Sequence, residues 1–343
     1  MSAPPQQPCG VHMVGSVPLP SAEDVFRQVC EALPGRLRRI TDGETGDRSQ
    51  FCFFQRNVFA HTPTILVNFD GSPPKTPTRA EIEHIVKGMP RIDTGYDEHA
   101  LSSYSTFRRL RAEGIVPGGI RFQVSLPTPI NFVGSQIEPA FRPAVEPLYE
   151  EAVLRVLKRI EAETPRQDLA IQWDVAVEFG QLERVLFEPW FEPVKEGIFE
   201  RLVRLGNAVD EGVEMGFHLC YGDIGHAHFK EPEDTSLLVE VATAILERVK
   251  RPVNWIHLPV PKNRDDPAYF APLEKLKGLL GQTELYLGLV HAEDEEGTRW
   301  RIETPSKVLE IFGVATECGM GRTPPAELAS ILQISAAVSS PIN

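Results

Sequence analysis

The sequence predicts an α/β protein: one closed barrel of eight parallel strands, each followed by a helix, with an irregular insertion after the second strand. Three observations lead there. Short apolar runs alternate with helical periodicity along most of the 343 residues, and near-continuous apolar strands between helices form parallel sheets with right-handed crossovers. Eight such runs are found, the number that closes a (β/α)₈ barrel. Polar residues gather where these runs end, and in such a barrel the chemistry sits where strands give way to loops.

In chain order, Val11–Val17 is the first run and ends in Gly15-Ser16. Ser21 then caps a helix through Leu33, with Val25, Val29 and Leu33 four apart. Arg38–Glu44 is the second strand. From about 45 to 120 the pattern is irregular, with Pro-rich connections, a capping-box helix opening at Thr78 and a helix around Leu101–Glu113. Strands Phe122–Pro129, Leu169–Val177, Glu214–Gly222, Pro252–Val260, Glu284–Ala292 and Phe312–Met320 follow. Between and after them, helices are predicted at Val145–Glu163, Pro193–Gly212, Thr235–Lys250, Asp266–Leu280, Pro305–Phe312 and from Thr323 onward. The barrel spans 11–343 as one domain, and residues 1–10 read as a disordered lead-in.

Composition excludes several functions. A net charge of −13 argues against nucleic acid and anionic membrane as partners. No apolar run approaches the roughly 20 residues that a membrane span needs. Five cysteines, odd in number and widely spread, do not form a secreted disulfide framework. The Pro/Gln-rich start lacks the charged and apolar regions of a signal peptide. These features predict a cytoplasmic protein with reduced thiols. No Gly-rich nucleotide fingerprint occurs.

The most specific signal is His218-Leu219-Cys220. Side chains two apart on a strand point to one side, so both can reach one ion, with Cys318 as a distant third ligand. Imidazole plus two thiolates suits zinc, and three protein ligands with one open position is a catalytic arrangement. The competing reading is a hydrogen-bonded core histidine and two small buried thiols. The other strand ends offer Ser16, Asp42 and Glu44, Thr128, Asp174 and Glu178, Asp223, His257, His291 and Asp294, and Glu317. Cys9, Cys30 and Cys52 have no ligand partner at useful spacing and read as structural.

Gly15-Ser16, Asp42-Gly43-Glu44, Ile171-Gln172-Trp173-Asp174, His218-Leu219-Cys220-Tyr221 and Glu317-Cys318-Gly319, in this order, resemble the catalytic domain of cobalamin-independent methionine synthase and its zinc-dependent alkyltransferase relatives. The resemblance runs from about 11 to 335, as short motifs, and leaves the synthase's additional N-terminal barrel without a counterpart. It implies zinc on His218, Cys220 and Cys318, and a small aminothiol such as homocysteine as substrate beside an alkyl donor. It further implies the substrate carboxylate near Ser16 and its ammonium between Glu44 and Asp174. Two acids facing one cation make physical sense, since alone they would raise each other's pKa; the alternative is a salt bridge to Arg38 or Arg322.

The synthase takes a fourth ligand, a Glu, from strand six, and His257 is the nearest match here. Ligand, general base and structural roles are all open to it. As a ligand it would favour activated water or a polarised carbonyl, which makes a zinc lyase or hydrolase the alternative function. His291 with Asp294 suggests a proton shuttle or an acidic loop cap. His226 and His228 read as a ligating pair or a solvated loop, Arg322 as an anion binder or loop anchor, and Trp173 and Trp255 as rim wall or core.

Overall fold

The computed structural model describes residues 7–222 and 227–342. Among these, seven parallel strands lie in sequence order: β1 (Arg39–Thr41), β2 (Arg121–Pro127), β3 (Leu169–Val175), β4 (Glu214–Leu219), β5 (Trp255–Pro259), β6 (Glu284–Gly288) and β7 (Gly313–Val314). The predicted first strand is not a ladder strand. Instead its backbone bonds to both edges of the sheet. Cys9 and His12 N–H donate to the carbonyls of Phe312 and Val314, while Val11 and Val17 N–H donate to those of Arg36 and Gly43. The two edges therefore meet through an irregular segment rather than an eighth strand. Cys9 and Gly10, inside the expected lead-in, are already bonded into this seam.

The helices are α1 (Ala22–Ala32), α2 (Arg79–Lys87), α3 (Tyr96–Ala112), α4 (Pro129–Gln136), α5 (Arg142–Glu163), α6 (Val177–Leu182), α7 (Val194–Ala208), α8 (Ser236–Arg248), α9 (Pro267–Phe270), α10 (Glu295–Glu303) and α11 (Leu328–Val338). The caps behave as the sequence reads: Ser21 Oγ accepts from Asp24 N–H, and Thr78 with Glu81 forms a complete capping box. The helix expected over Pro305–Phe312 is a single 3₁₀ turn, Pro305–Lys307. The true helix is α10, just before it. The insertion between β1 and β2 folds as a 3₁₀ stretch, Gly46–Phe59, followed by α2 and α3.

Period two sorts each strand. Phe122, Leu126, Ile171, Trp173, Phe217 and Ile256 form the wholly buried apolar layer under the helices. Gln123, Gln172, His218 and His257 fill the barrel interior and are also buried. At the floor Trp255 lies across the interior, which Gly216 permits: a Cβ there would sit 2.1 Å from the indole. Arg39 covers this ring at 4.2 Å and donates to Glu214 at 2.6 Å and Glu284 at 2.8 Å. The floor is thus sealed by apolar bulk and by the buried Arg39 between two part-buried glutamates, and the interior opens at the C-terminal ends of the strands. No helix among the described residues is long and apolar enough to cross a membrane.

Candidate metal centre

His218 is the penultimate residue of β4, and Cys220 follows the strand end with its side chain on the same face. Cys318 arrives from the loop after β7. The ligating atoms of these three lie within 4.8 Å of one another, and among the described residues they form the one group of this kind. The sulfurs are 3.6 Å apart, too far for a disulfide. Two sulfurs held about 2.3 Å from one tetrahedral ion would be about 3.8 Å apart. His218 Nε2 is buried with no hydrogen-bond partner in the described structure. A soft cation is what such an atom beside two thiols is suited to.

His257 lies outside this group of three, and of the roles open to it as ligand, base or structural residue its contacts here match the structural one. In the parallel ladder it pairs with His218, one layer below Cys220. Both of its nitrogens are engaged, Nδ1 with His218 Nδ1 at 2.7 Å and Nε2 with the Thr316 carbonyl at 3.0 Å. Burial holds the ring neutral, with its pKa down to about 3. Two residues nearer the rim on the same face of β5 is Pro259, whose side chain carries no donor atom. Among the described residues the centre therefore has three protein donors and an open side.

That side faces a pocket lined by Ser16, Glu44, Asp174, Cys220, Cys318 and Arg322 with an apolar collar of Phe51, Phe53, Phe187 and Phe229. Burial raises Glu44 to about 7, with Asp42 adding to it and Arg48 and Arg322 opposing. Asp174 is raised well above the carboxylate range, first by burial and then by Glu44. Gln172 orients it, donating to Asp174 Oδ1 at 2.9 Å. Arg38 cannot be the partner of either acid, because it pairs with Glu284 at the floor. Ser16 holds the Cys318 loop: Gly321 N–H donates to its Oγ at 2.9 Å and Met320 N–H to its carbonyl at 2.6 Å. A Cβ on Gly319 would lie 2.6 Å from Ser16 Oγ, so that loop needs glycine to pack.

Other expected site residues lie elsewhere. Burial lowers the His291 pKa to about 3; the ring sits 3.2 Å from the Val260 carbonyl and 3.7 Å from Glu317. Asp294 sits at the N-cap position of α10, where its side chain accepts from Arg301 at 2.7 Å instead of capping the helix, outside the sulfur pocket. Glu178 is buried and accepts from Thr128, while Asp42 is bound by Arg48 and Ser103. Trp173 and Trp255 are core rather than rim wall. His228 lies between Glu231 and Glu317; Asp223 and His226 fall outside the described residues. Sequence reasoning missed Cys52, buried in the pocket wall with its thiol raised to about 12 by burial, and the Phe51 and Phe187 collar. Both phenylalanines have positive φ, 54° and 61°, strain that a sequence pattern does not announce.

No protein-family model matches the chain, and no curated protein matches it. Among solved structures, a B12-independent methionine synthase from Shewanella sp. W3-18-1, solved in complex with selenomethionine, aligns over 97% of this chain and 96% of its own, with a TM-score of 0.57. The two chains share a fold. At 14% identity the likeness goes no further than that, and chemistry has to be argued from the rim. A Listeria monocytogenes protein assigned as a candidate vitamin-B12-independent methionine synthase covers 93% of this chain and 87% of its own at TM-score 0.45 and 13% identity.

Proposed function

We propose that this protein is a zinc-dependent transferase that binds a small aminothiol at the barrel rim and passes an alkyl or methyl group to its sulfur. The observation that supports it best is the buried, partnerless His218 Nε2 beside two thiols. Bound there, zinc would hold a substrate thiol as thiolate at neutral pH. With two cysteine thiolates and one imidazole the site is electrically neutral, which eases thiol ionisation.

The surrounding residues do the rest. Glu44 and Asp174 form a buried acidic pair that an ammonium group would return to the ionised state. Arg322, in the same pocket, matches a carboxylate in charge. The phenylalanine collar excludes water from the sulfur. The lyase or hydrolase alternative draws its support from His257 as a ligand, whereas the contacts of His257 to His218 and Thr316 favour the transferase reading.

The test is calorimetry of homocysteine binding to the zinc-loaded protein in buffers of different ionisation enthalpy. The proposal predicts release of about one proton from the thiol in addition to those that Glu44 and Asp174 give up on ionising, with no comparable binding of serine. Binding without proton release, or equal affinity for serine, overturns it.

A further inference from the structure

We infer that His257 is a positioning residue that fixes the tautomer of His218, so that Nε2 and not Nδ1 presents its lone pair to the two sulfurs. This rests on the metal-site reading above.

The argument starts at Thr316. A carbonyl oxygen only accepts, so the His257 Nε2 3.0 Å away carries the hydrogen. His257 is wholly buried, where an imidazole is neutral and has a single N–H. Its Nδ1 therefore holds a lone pair. That atom lies 2.7 Å from His218 Nδ1, and two facing lone pairs would repel. The hydrogen between them belongs to His218 Nδ1. A neutral His218 then keeps its lone pair on Nε2, the atom without a hydrogen-bond partner.

The chain of bonds also ties the two arms of the ligand set together. Thr316 sits two residues before Cys318, and its Oγ1 donates to the Cys318 carbonyl at 2.7 Å. Cys220 lies two residues after His218. His257 thus bridges the segment that supplies one sulfur to the strand that supplies the other. Partners of this kind set ligand orientation and basicity from behind.

Glutamine at 257 can imitate both bonds, its amide oxygen accepting from His218 and its amide nitrogen donating to Thr316. Leucine can make neither. The experiment measures zinc affinity, by competition with a chromophoric chelator, for wild type, His257→Gln and His257→Leu. It also records long-range ¹H–¹⁵N spectra of the histidine rings in metal-free and zinc-loaded wild type.

The expected results are three. His257→Gln stays within about threefold of wild type, and His257→Leu loses about 10–100-fold. In the metal-free wild-type spectra, His218 is protonated at Nδ1. Undiminished zinc affinity in folded His257→Leu, or metal on a nitrogen of His257, overturns the inference. So does metal-free His218 protonated at Nε2. Should the leucine variant fail to fold, the wild-type spectra decide alone. If wild type binds no zinc, the metal reading falls, while the metal-free spectra still judge the tautomer.

Discussion

Replacing Glu44 with glutamine should make the protein more stable and less able to bind its substrate. Glu44 has its pKa raised from the usual 4.5 to about 7, chiefly by burial. Holding it ionised in the folded protein costs about 3 kcal/mol, or about 2–3 allowing for its partial exposure. The sign follows from proton counts. Below pH 4.5 both folded and unfolded chains keep the proton, and nothing is lost. Between 4.5 and about 7 the unfolded chain releases it while the folded chain holds it, so stability falls as pH rises. Above 7 the full cost is present. Glu44→Gln removes this cost, so its advantage should be absent near pH 4.5, grow through the window and stay constant above it. The assay is thermal or urea unfolding at half-unit steps from pH 4.5 to 8.5. At pH 8 the melting temperature should rise by roughly 3–4 °C. An excess of aminothiol about a hundredfold over Kd should stabilise wild type by about 2.7 kcal/mol and the variant much less. A variant no more stable than wild type at pH 8, or an advantage that grows toward acid, would refute the reasoning.

Two further outcomes follow from the same geometry. Arg39→Ala removes the buried guanidinium shared by Glu214 and Glu284, which keep Arg121 and Arg38 as partners; it should cost about 1–3 kcal/mol by urea unfolding, with zinc content unchanged in the protein that remains folded. Gly319→Ala drives a Cβ to 2.6 Å from Ser16 Oγ and 2.9 Å from its N–H; the loop carrying Cys318 has to move, costing about 1–3 kcal/mol in the melt and lowering bound metal by elemental analysis.

Much of this architecture is legible in the chain. The apolar runs mark β2 to β6 because each packs apolar side chains under helices along its length. The spacing of His218 and Cys220 places both on one face because strand period is invariant. What escapes is informative. The Val11–Val17 run looks like a strand, but the carbonyls of Met13 and Val14 accept from the Gln123 and Gln172 side chains, so no ladder forms. Helix α10 is hidden because its buried face is made by Thr298 and Arg301 as well as Ile302. Arg301 bonds the Leu289 carbonyl and Asp294, leaving no apolar stripe to read. His257 reads as a strand-end residue, but a sequence carries no depth along the barrel axis. Only strand register sets it level with His218, below the sulfurs.

The most direct test is X-ray absorption at the zinc edge of the purified protein, before and after adding a small aminothiol. Two sulfurs at about 2.3 Å with one imidazole nitrogen, rising to three sulfurs once the thiol is present, is the predicted result. A shell with two imidazoles, fewer than two sulfurs, or no added sulfur with thiol would contradict it.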